Sequence, residues 1–217
     1  MLTLIYAIGD IHGCHDQLLA LLAKIKAHAG TRPYRGIFLG DYVDRGPKSR
    51  QVVNEVRGLV MGKGGHGKWQ ALKGNHEVMM ASGVQNILED RWRVNDGFET
   101  LASYAGHDLE MAEHVKWFDT LPTMIETENH IFVHAGLSPR YSVAEQPDEV
   151  KLWIREWEKD DHDFGKHVVY GHTLRKAPHL LRNSTGLDTG AFYYGNLTAG
   201  VFDETRNSGP VELLVAR

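Results

Sequence analysis

The sequence predicts an α/β layered fold, and two observations carry that prediction. Short apolar, β-prone runs recur along the chain, each ending in polar punctuation, and stretches with helical apolar spacing fill the intervals. Apolar runs of this length suit strands covered on both faces, and strands alternating with helices imply layers.

The first run is "LTLIYAIGD" (2–10). It is short, lacks a basic start and runs into Asp10, so it reads as a strand and not as a signal peptide. Behind it, Leu18, Leu19, Leu21, Leu22 and Ile25 are expected on one face of a helix, "DQLLALLAKIKAHA". The second run, "GIFLGD" (36–41), gives way to Asp41, Asp44 and Arg45. Pro47 then stands where a helix could open, and Val52, Val53, Val56, Leu59 and Val60 follow at helical spacing. The Gly-rich "MGKGGHGK" (61–68) reads as the connection to a third strand, because it lacks the Lys-Ser/Thr ending of a phosphate-binding P-loop.

The third strand is "WQALKGN" (69–75). Residues 78–128 read as a mostly helical insertion with no convincing strand. The fourth and fifth strands are "HIFVHAG" (130–136) and "HVVYGHT" (167–173), and "GAFYYGNLTAGVFDE" and "PVELLVAR" are expected as antiparallel edge strands. No internal repeat or low-complexity linker divides the 217 residues, so a single domain, 1–217, is expected.

Composition narrows the function. With 24 basic and 28 acidic residues and a formal net charge of −4, the chain lacks the basic balance of a protein that lives on nucleic acid. No stretch approaches the roughly 18 apolar residues of a membrane span. A single cysteine, Cys14, excludes an internal disulfide, and with no targeting signal a reducing cytoplasmic location is expected. Cys14 follows "GDIHG", but without a recognisable activating partner it reads as a packing residue and not a nucleophile.

The polar punctuation shares one chemistry. Strand one ends in Asp10 and His12, two apart and, in extended chain, on one side. Strand two ends in Asp41, Asp44 and Arg45, and strand three in Asn75, His76 and Glu77. Strands four and five end near His134 and His172. Ligands of layered α/β proteins sit at the carboxyl ends of strands, so these groups are expected on one rim. A strand-end Asp alone is commonly a helix cap or turn former; recurrence at five successive strand ends is what points to a site. Oxygen and imidazole donors without thiolates suit Mn, Fe or Zn, and six of them exceed one ion's needs. Two ions about 3.5–4 Å apart, sharing a carboxylate, would use them all. Asp41, in the middle of the series, is the expected bridge. Cations would also offset the cost of crowding buried carboxylates.

"GDIHG", "GDYVDRG" and "GNHE", in this order, resemble the signature blocks of the phosphoprotein phosphatase family within the metallophosphoesterases. "HAGL", "LWIREW", "VVYGHT" and "LDTGAFYYGNLT" extend the resemblance over nearly the whole chain, and it looks closest to the phage-lambda-type and bacterial serine/threonine phosphatases. The resemblance implies a central mixed β-sandwich flanked by helices. It implies that Asp10 and His12 bind a first metal, that Asp41 bridges, and that Asn75, His134 and His172 complete a second site. A water activated between two divalent ions, manganese first and iron or zinc as alternatives, would attack phosphorus in line. His76 would be the general acid, oriented by Asp44; Arg45 and Arg155 would hold the phosphate, with Asn75 beside it. Glu77 would support the site without ligating, and Asp188 in "LDTG" would fix a turn beside it. The stretch "RWRVNDGFETLASY" resembles the insertion of bacterial relatives, with "NDG" where "NGG" is common.

The function so implied is a metal-dependent phosphatase acting on phosphoprotein or phosphopeptide substrates, with specificity in the insertion and surface loops. Two alternatives stand beside it. The symmetrical dinucleoside-tetraphosphate hydrolases share similar blocks, but typically lack the aspartate matching Asp44 and carry "GNHD". A non-catalytic scaffold of the same fold should have lost ligands, whereas here every expected position is filled.

Overall fold

The computed structural model describes residues 4–63, 67–85, 92 and 96–217. Two five-stranded mixed sheets pack face to face. The first sheet holds β1 (Leu4–Ile8), β2 (Tyr34–Phe38) and β3 (Gly67–Ala71) in parallel, extended antiparallel by β9 (Leu197–Asp203) and β10 (Glu212–Ala216), in the order β10-β9-β1-β2-β3. In the second, β5 (His130–Val133), β6 (His167–Tyr170) and β8 (Ser184–Gly186) are parallel. They are edged by antiparallel β4 (Met124–Glu126) and β7 (His179–Leu180), in the order β4-β5-β6-β8-β7.

Strand alternation builds the layers. Ile5 and Ala7 face inward and pack with Ile37, Leu39 and Leu72 against Phe132, Val169 and Leu187 of the other sheet. Tyr6, Ile8 and Phe38 face outward, under Leu18, Leu21 and Ile25 of α1 (His15–Ala29) and Val52, Val53 and Val56 of α2 (Ser49–Gly58). The second sheet turns Val168 and Tyr170 outward, onto Leu137 and Trp157. Both faces of the parallel strands are therefore buried, which is why they read as unbroken apolar runs. Among the described residues the remaining α-helices are α3 (Asn75–Val84), α4 (Phe98–Ser103), α5 (Asp108–Asp119), α6 (Asp148–Trp153) and a single turn, α7 (Ala191–Tyr194).

Several expectations need correction. Leu19 lies off the buried face of α1 and is 44% exposed, because positions 18, 21, 25 and 29 already complete the helical stripe. Pro47 does not open α2, which starts at Ser49. The stretch 78–128 contains a strand after all, β4, whose pairing with β5 a three-residue apolar pattern could not announce. Within "GAFYYGNLTAGVFDE" the first residues form α7 instead of a strand, between Gly190 and Gly195, both at positive φ, where glycine meets no Cβ penalty. Residues 2–3 of the first expected strand, 64–66 of the Gly-rich connection, and 86–91 and 93–95 of the insertion lie outside the described residues. Among the described residues, no helix is long and apolar enough to cross a membrane.

Two buried histidines away from the carboxyl ends of the strands couple the fold to pH. Burial lowers His114 and His167 from the ordinary 6.5 to about 4, so folding favours their neutral forms. The stability they contribute is complete above pH 6.5 and is lost as pH falls from there toward 4. Thermal melts should show Tm falling across that window, and His114→Gln with His167→Gln should flatten the slope.

Candidate active site

The C-terminal ends of β1, β2, β3, β5 and β6 gather Asp10, His12, Asp41, Asn75, His76, His134 and His172, all at least 94% buried by exposures of 0–6%. The turns after the strands do the gathering. Asp10 and His12 do not converge by strand alternation, as expected from extended chain, because β1 has ended at Ile8 and His12 is left-handed, at φ 45°. Asp41, Asp44, Arg45 and His172 are left-handed too, at φ 54°, 70°, 69° and 60°. Each such residue costs about 1–3 kcal/mol and persists only where its surroundings over-determine it.

Glu77 supplies much of that determination. Its buried carboxylate accepts the backbone N–H groups of Gly74 (2.9 Å), Asp41 (2.8 Å), Tyr42 (2.8 Å) and, more weakly, Val43 (3.4 Å). The Asp41 carbonyl in turn accepts N–H bonds from Ile11 (3.0 Å) and His12 (2.9 Å), tying the first loop to the second. Close approach needs glycine: a Cβ on Gly74 would sit 2.2 Å from Asp41 Oδ1, and one on Gly171 would sit 2.1 Å from Asp10 Oδ1. Gly171 thereby lets the His172 N–H donate to both Asp10 oxygens (3.0 and 2.9 Å).

Among the described residues, two groups of donor atoms could hold a metal ion, and they share Asp41: His12, Asp41 and His76 form one, and Asp41, His134 and His172 the other. The atoms of each group lie within 4.8 Å of one another. In the first group the atoms that lie together include His76, while Asp10, expected there, stands beside it and accepts the His172 N–H with lone pairs to spare. The donors fit divalent cations on their hydrogen bonding. His134 donates Nδ1–H to the Leu39 carbonyl (2.8 Å), leaving an Nε2 lone pair 2.8 Å from Asn75 Oδ1 and 3.4 Å from Asp41 Oδ1. These three atoms face one another as acceptors, with His172 Nδ1 also 2.9 Å from Asn75 Oδ1, an arrangement that a cation would satisfy. His12 likewise donates Nδ1–H to the Val43 carbonyl (2.8 Å), which turns Nε2 toward Asp41 Oδ2, 3.5 Å away. His172 Nε2 and Asp188 Oδ2 are buried without any partner.

The electrostatics agree. Burial pushes Asp10 well up, and the neighbouring Asp188 and Asp41 push it further. Burial alone would raise Asp41 too, but positive charge on the facing histidines opposes burial and holds it well below the carboxylate range, and of these His76 is the one not driven neutral. Burial keeps His12 and His134 low and takes His172 to about 2, so these imidazoles are neutral and free to ligate. His76 differs: burial lowers it, yet Asp41 and the bond to Asp44 prevail and raise it.

His76 and Asp44 form the other unit of the site. His76 Nδ1–H donates to Asp44 Oδ2 at 2.7 Å, which aims Nε2 at the centre, 4.0 Å from Asp41 Oδ2. Arg45 lies over the Phe192 ring (4.8 Å to the centroid), with Nη1 2.8 Å from His12 Nε2. Arg155 is exposed, in the chain following α6, and reaches only the His172 carbonyl, at 3.4 Å. Cys14 is buried and its thiol is pushed up to about 11 by burial, the opposite of an activated nucleophile. Sequence reasoning set Asp188 aside. It accepts the Gly190 N–H (3.1 Å), fixing the expected turn, yet its other oxygen is buried and unpartnered, and burial raises it to about 6. Its burial could not be read from "LDTG" alone.

The comparisons with known proteins agree with this chemistry. A calcineurin-like phosphoesterase family model matches residues 3–192. A symmetrical bis(5'-nucleosyl)-tetraphosphatase of Janthinobacterium sp. is 31% identical over 140 residues, 64% of this chain; the aligned part spans 46% of that protein's length. The asymmetrical bis(5'-nucleosyl)-tetraphosphatase PrpE of Anoxybacillus flavithermus is 29% identical over 88% of this chain and 87% of its own. Among solved structures, one assigned provisionally as a diadenosine tetraphosphatase superposes with a TM-score of 0.69 at 24% identity, covering 99% of this chain and 94% of the other. A cold-active protein-tyrosine phosphatase of a psychrophilic Shewanella superposes at 0.65 with 18% identity, covering 100% and 81%. At those identities the structures show a shared fold.

The role of Glu77 can be tested by stability. Glu77→Gln turns an amide NH2 toward backbone N–H donors, and should cost about 2–3 kcal/mol. Urea denaturation should report that loss as a lower midpoint with an unchanged m-value.

Proposed function

The chain belongs to the calcineurin-like phosphoesterase family, hydrolases that work with divalent metal ions, and from that premise we propose that it cleaves dinucleoside tetraphosphates. The observation that carries this reading is the likeness to the PrpE tetraphosphatase along nearly the full length of both chains. The protein-phosphatase reading that the signature blocks suggest takes second place. What favours it is the His76–Asp44 bond of 2.7 Å, since an alkoxide leaving from phosphoserine must be protonated and a nucleotide leaving from an anhydride need not be.

In either reaction the binding residues take the same parts, and His76 matters most where the leaving group is an alkoxide. Asp10, His12, Asp41, Asn75, His134 and His172 would hold two divalent ions, with Asp41 between them; manganese is the first candidate, and iron or zinc suits the same donors. When bound, the ions supply positive charge to the phosphoryl oxygens and lower the pKa of a water. Arg45, and Arg155 from the rim, would grip the phosphate bidentately, with Asn75 beside it. His76 would donate its Nε2 proton to the leaving oxygen while Asp44 holds Nδ1–H. Cys14 takes no part.

The deciding experiment uses chelator-stripped protein with and without manganese, offered diadenosine tetraphosphate, p-nitrophenyl phosphate and a phosphoserine peptide. Metal-dependent release of ATP and AMP, as the PrpE likeness leads one to expect, supports the proposal; two ADP would support tetraphosphate cleavage with the symmetrical cut. Turnover of the peptide with none of the tetraphosphate would move the assignment to protein phosphatase.

Two substitutions separate the roles. His76→Asn should retain metal and lose about 10²–10⁴ in turnover of alkyl phosphates, with a smaller loss on anhydrides. Asp41→Asn should lose metal itself, read by elemental analysis after dialysis; full occupancy would sink the bridging role.

A further inference from the structure

The insertion reaches into the catalytic dyad. Asp44 is fully buried, and its carboxylate takes three hydrogen bonds: from His76, from the Trp92 indole N–H (3.0 Å to Oδ1, 3.1 Å to Oδ2) and from the Thr100 hydroxyl (2.7 Å to Oδ1). The Asp44 backbone N–H is satisfied by Thr100 Oγ1 (2.8 Å) and Ser49 Oγ (3.1 Å). Trp92 and Thr100 belong to the stretch that sequence reading assigned only to specificity.

The placement of the indole is specific. Trp92 is 2% exposed and lies between two glycines that could not carry a side chain: a Cβ on Gly83 would come 2.3 Å from its ring, and one on Gly97 would come 2.8 Å from it. Asp96 adds a second tie, its carbonyl accepting the Arg45 N–H at 3.3 Å and its carboxylate lying 3.8 Å from Arg45 Nε. Asp44 and Arg45 are both left-handed, so the turn between them depends on partners from outside it.

A carboxylate can orient a histidine only if its own rotation is fixed. His76 bonds to Oδ2 alone, and that bond would leave the carboxylate free to pivot. The Trp92 N–H, shared between both oxygens, and the Thr100 hydroxyl on Oδ1 remove that freedom and leave Oδ2 facing Nδ1. We propose that Trp92 and Thr100 are positioning residues that lock the Asp44 carboxylate toward His76, making the insertion a working part of proton delivery. The proposal rests on the reading of His76 as the proton donor. A buried Trp whose N–H merely found a convenient acceptor would have the same packing but no effect through His76.

The test is a double-mutant cycle on kcat, with holoenzyme and a substrate whose alkoxide leaving group needs the proton, the phosphoserine peptide or a simple alkyl phosphate. Trp92→Phe keeps an aromatic ring in the pocket and removes the donor, at some cost in Tm because the smaller ring leaves a cavity. It should lower kcat on the order of tenfold, the scale of one hydrogen bond to a charged group, with KM and metal content near wild type. In the His76→Asn background the same change should do nothing further, because the group it positions is gone. Thr100→Val should behave alike and Thr100→Ser should restore the rate, which keeps the question answerable if Trp92→Phe folds poorly. An additive loss in the His76→Asn background would overturn the proposal and leave Trp92 a packing residue. A His76→Asn enzyme with unchanged kcat would instead remove the proton-donor reading, and the proposal with it.

Discussion

Four backbone N–H groups converge on the carboxylate of Glu77, and the site depends on that convergence. Three of them belong to consecutive residues of the loop after β2, where the chain must leave a strand and enter a left-handed turn at once. A carboxylate with no side-chain partner is an odd thing to bury. Burial, and Asp41 next to it, push Glu77 up, while the N–H donors on both oxygens oppose them and favour the ionised form. What the arrangement achieves is geometric. It fixes Asp41 between two histidine groups and lets the Asp41 carbonyl hold the loop that carries His12.

The same economy runs through the rest of the centre. Buried carboxylates at Asp10, Asp41, Asp44, Glu77 and Asp188 stand among buried imidazoles, a concentration of polar groups that no apolar core would tolerate unpaired. Where partners come from the protein, the groups are well satisfied, as at Asp44. Where acceptors face each other, as His134, Asn75 and Asp41 do, cations would complete the balance. Positive φ values cluster at the same residues because strand-end turns must bring side chains inward from backbones that are leaving the sheet.

This division of labour bears on substrate choice. In the proposed mechanism the metal-ligand atoms and the phosphate grip would serve an anhydride and an ester alike. The dyad of His76 and Asp44 is what distinguishes them, since only a poor leaving group demands a proton. Its support comes from the insertion, through Trp92 and Thr100. A segment peripheral to the sandwich is thus in a position to tune which phosphorus–oxygen bond the common centre breaks. Substrate preference and proton delivery can then vary together without disturbing the sheets.

The sequence by itself determined the layered α/β class, the order of the parallel strands and their helices, and the residue types gathered at the strand ends. It could do so because strands buried on both faces leave continuous apolar runs, and because turns after them carry their chemistry in a few adjacent residues. Short, half-exposed elements such as β4 and α7 escaped it, since three or four residues hold too little periodicity to separate strand from turn. Tertiary structure alone decided how Asp10 and His12 meet, through a left-handed turn in place of strand alternation. It also decided that Asp188 is buried with an oxygen to spare, and that Trp92 lies against Asp44, 48 positions away in the chain. Those facts depend on distant backbones coming within hydrogen-bond reach, and local sequence carries no record of which distant partner a buried donor will find.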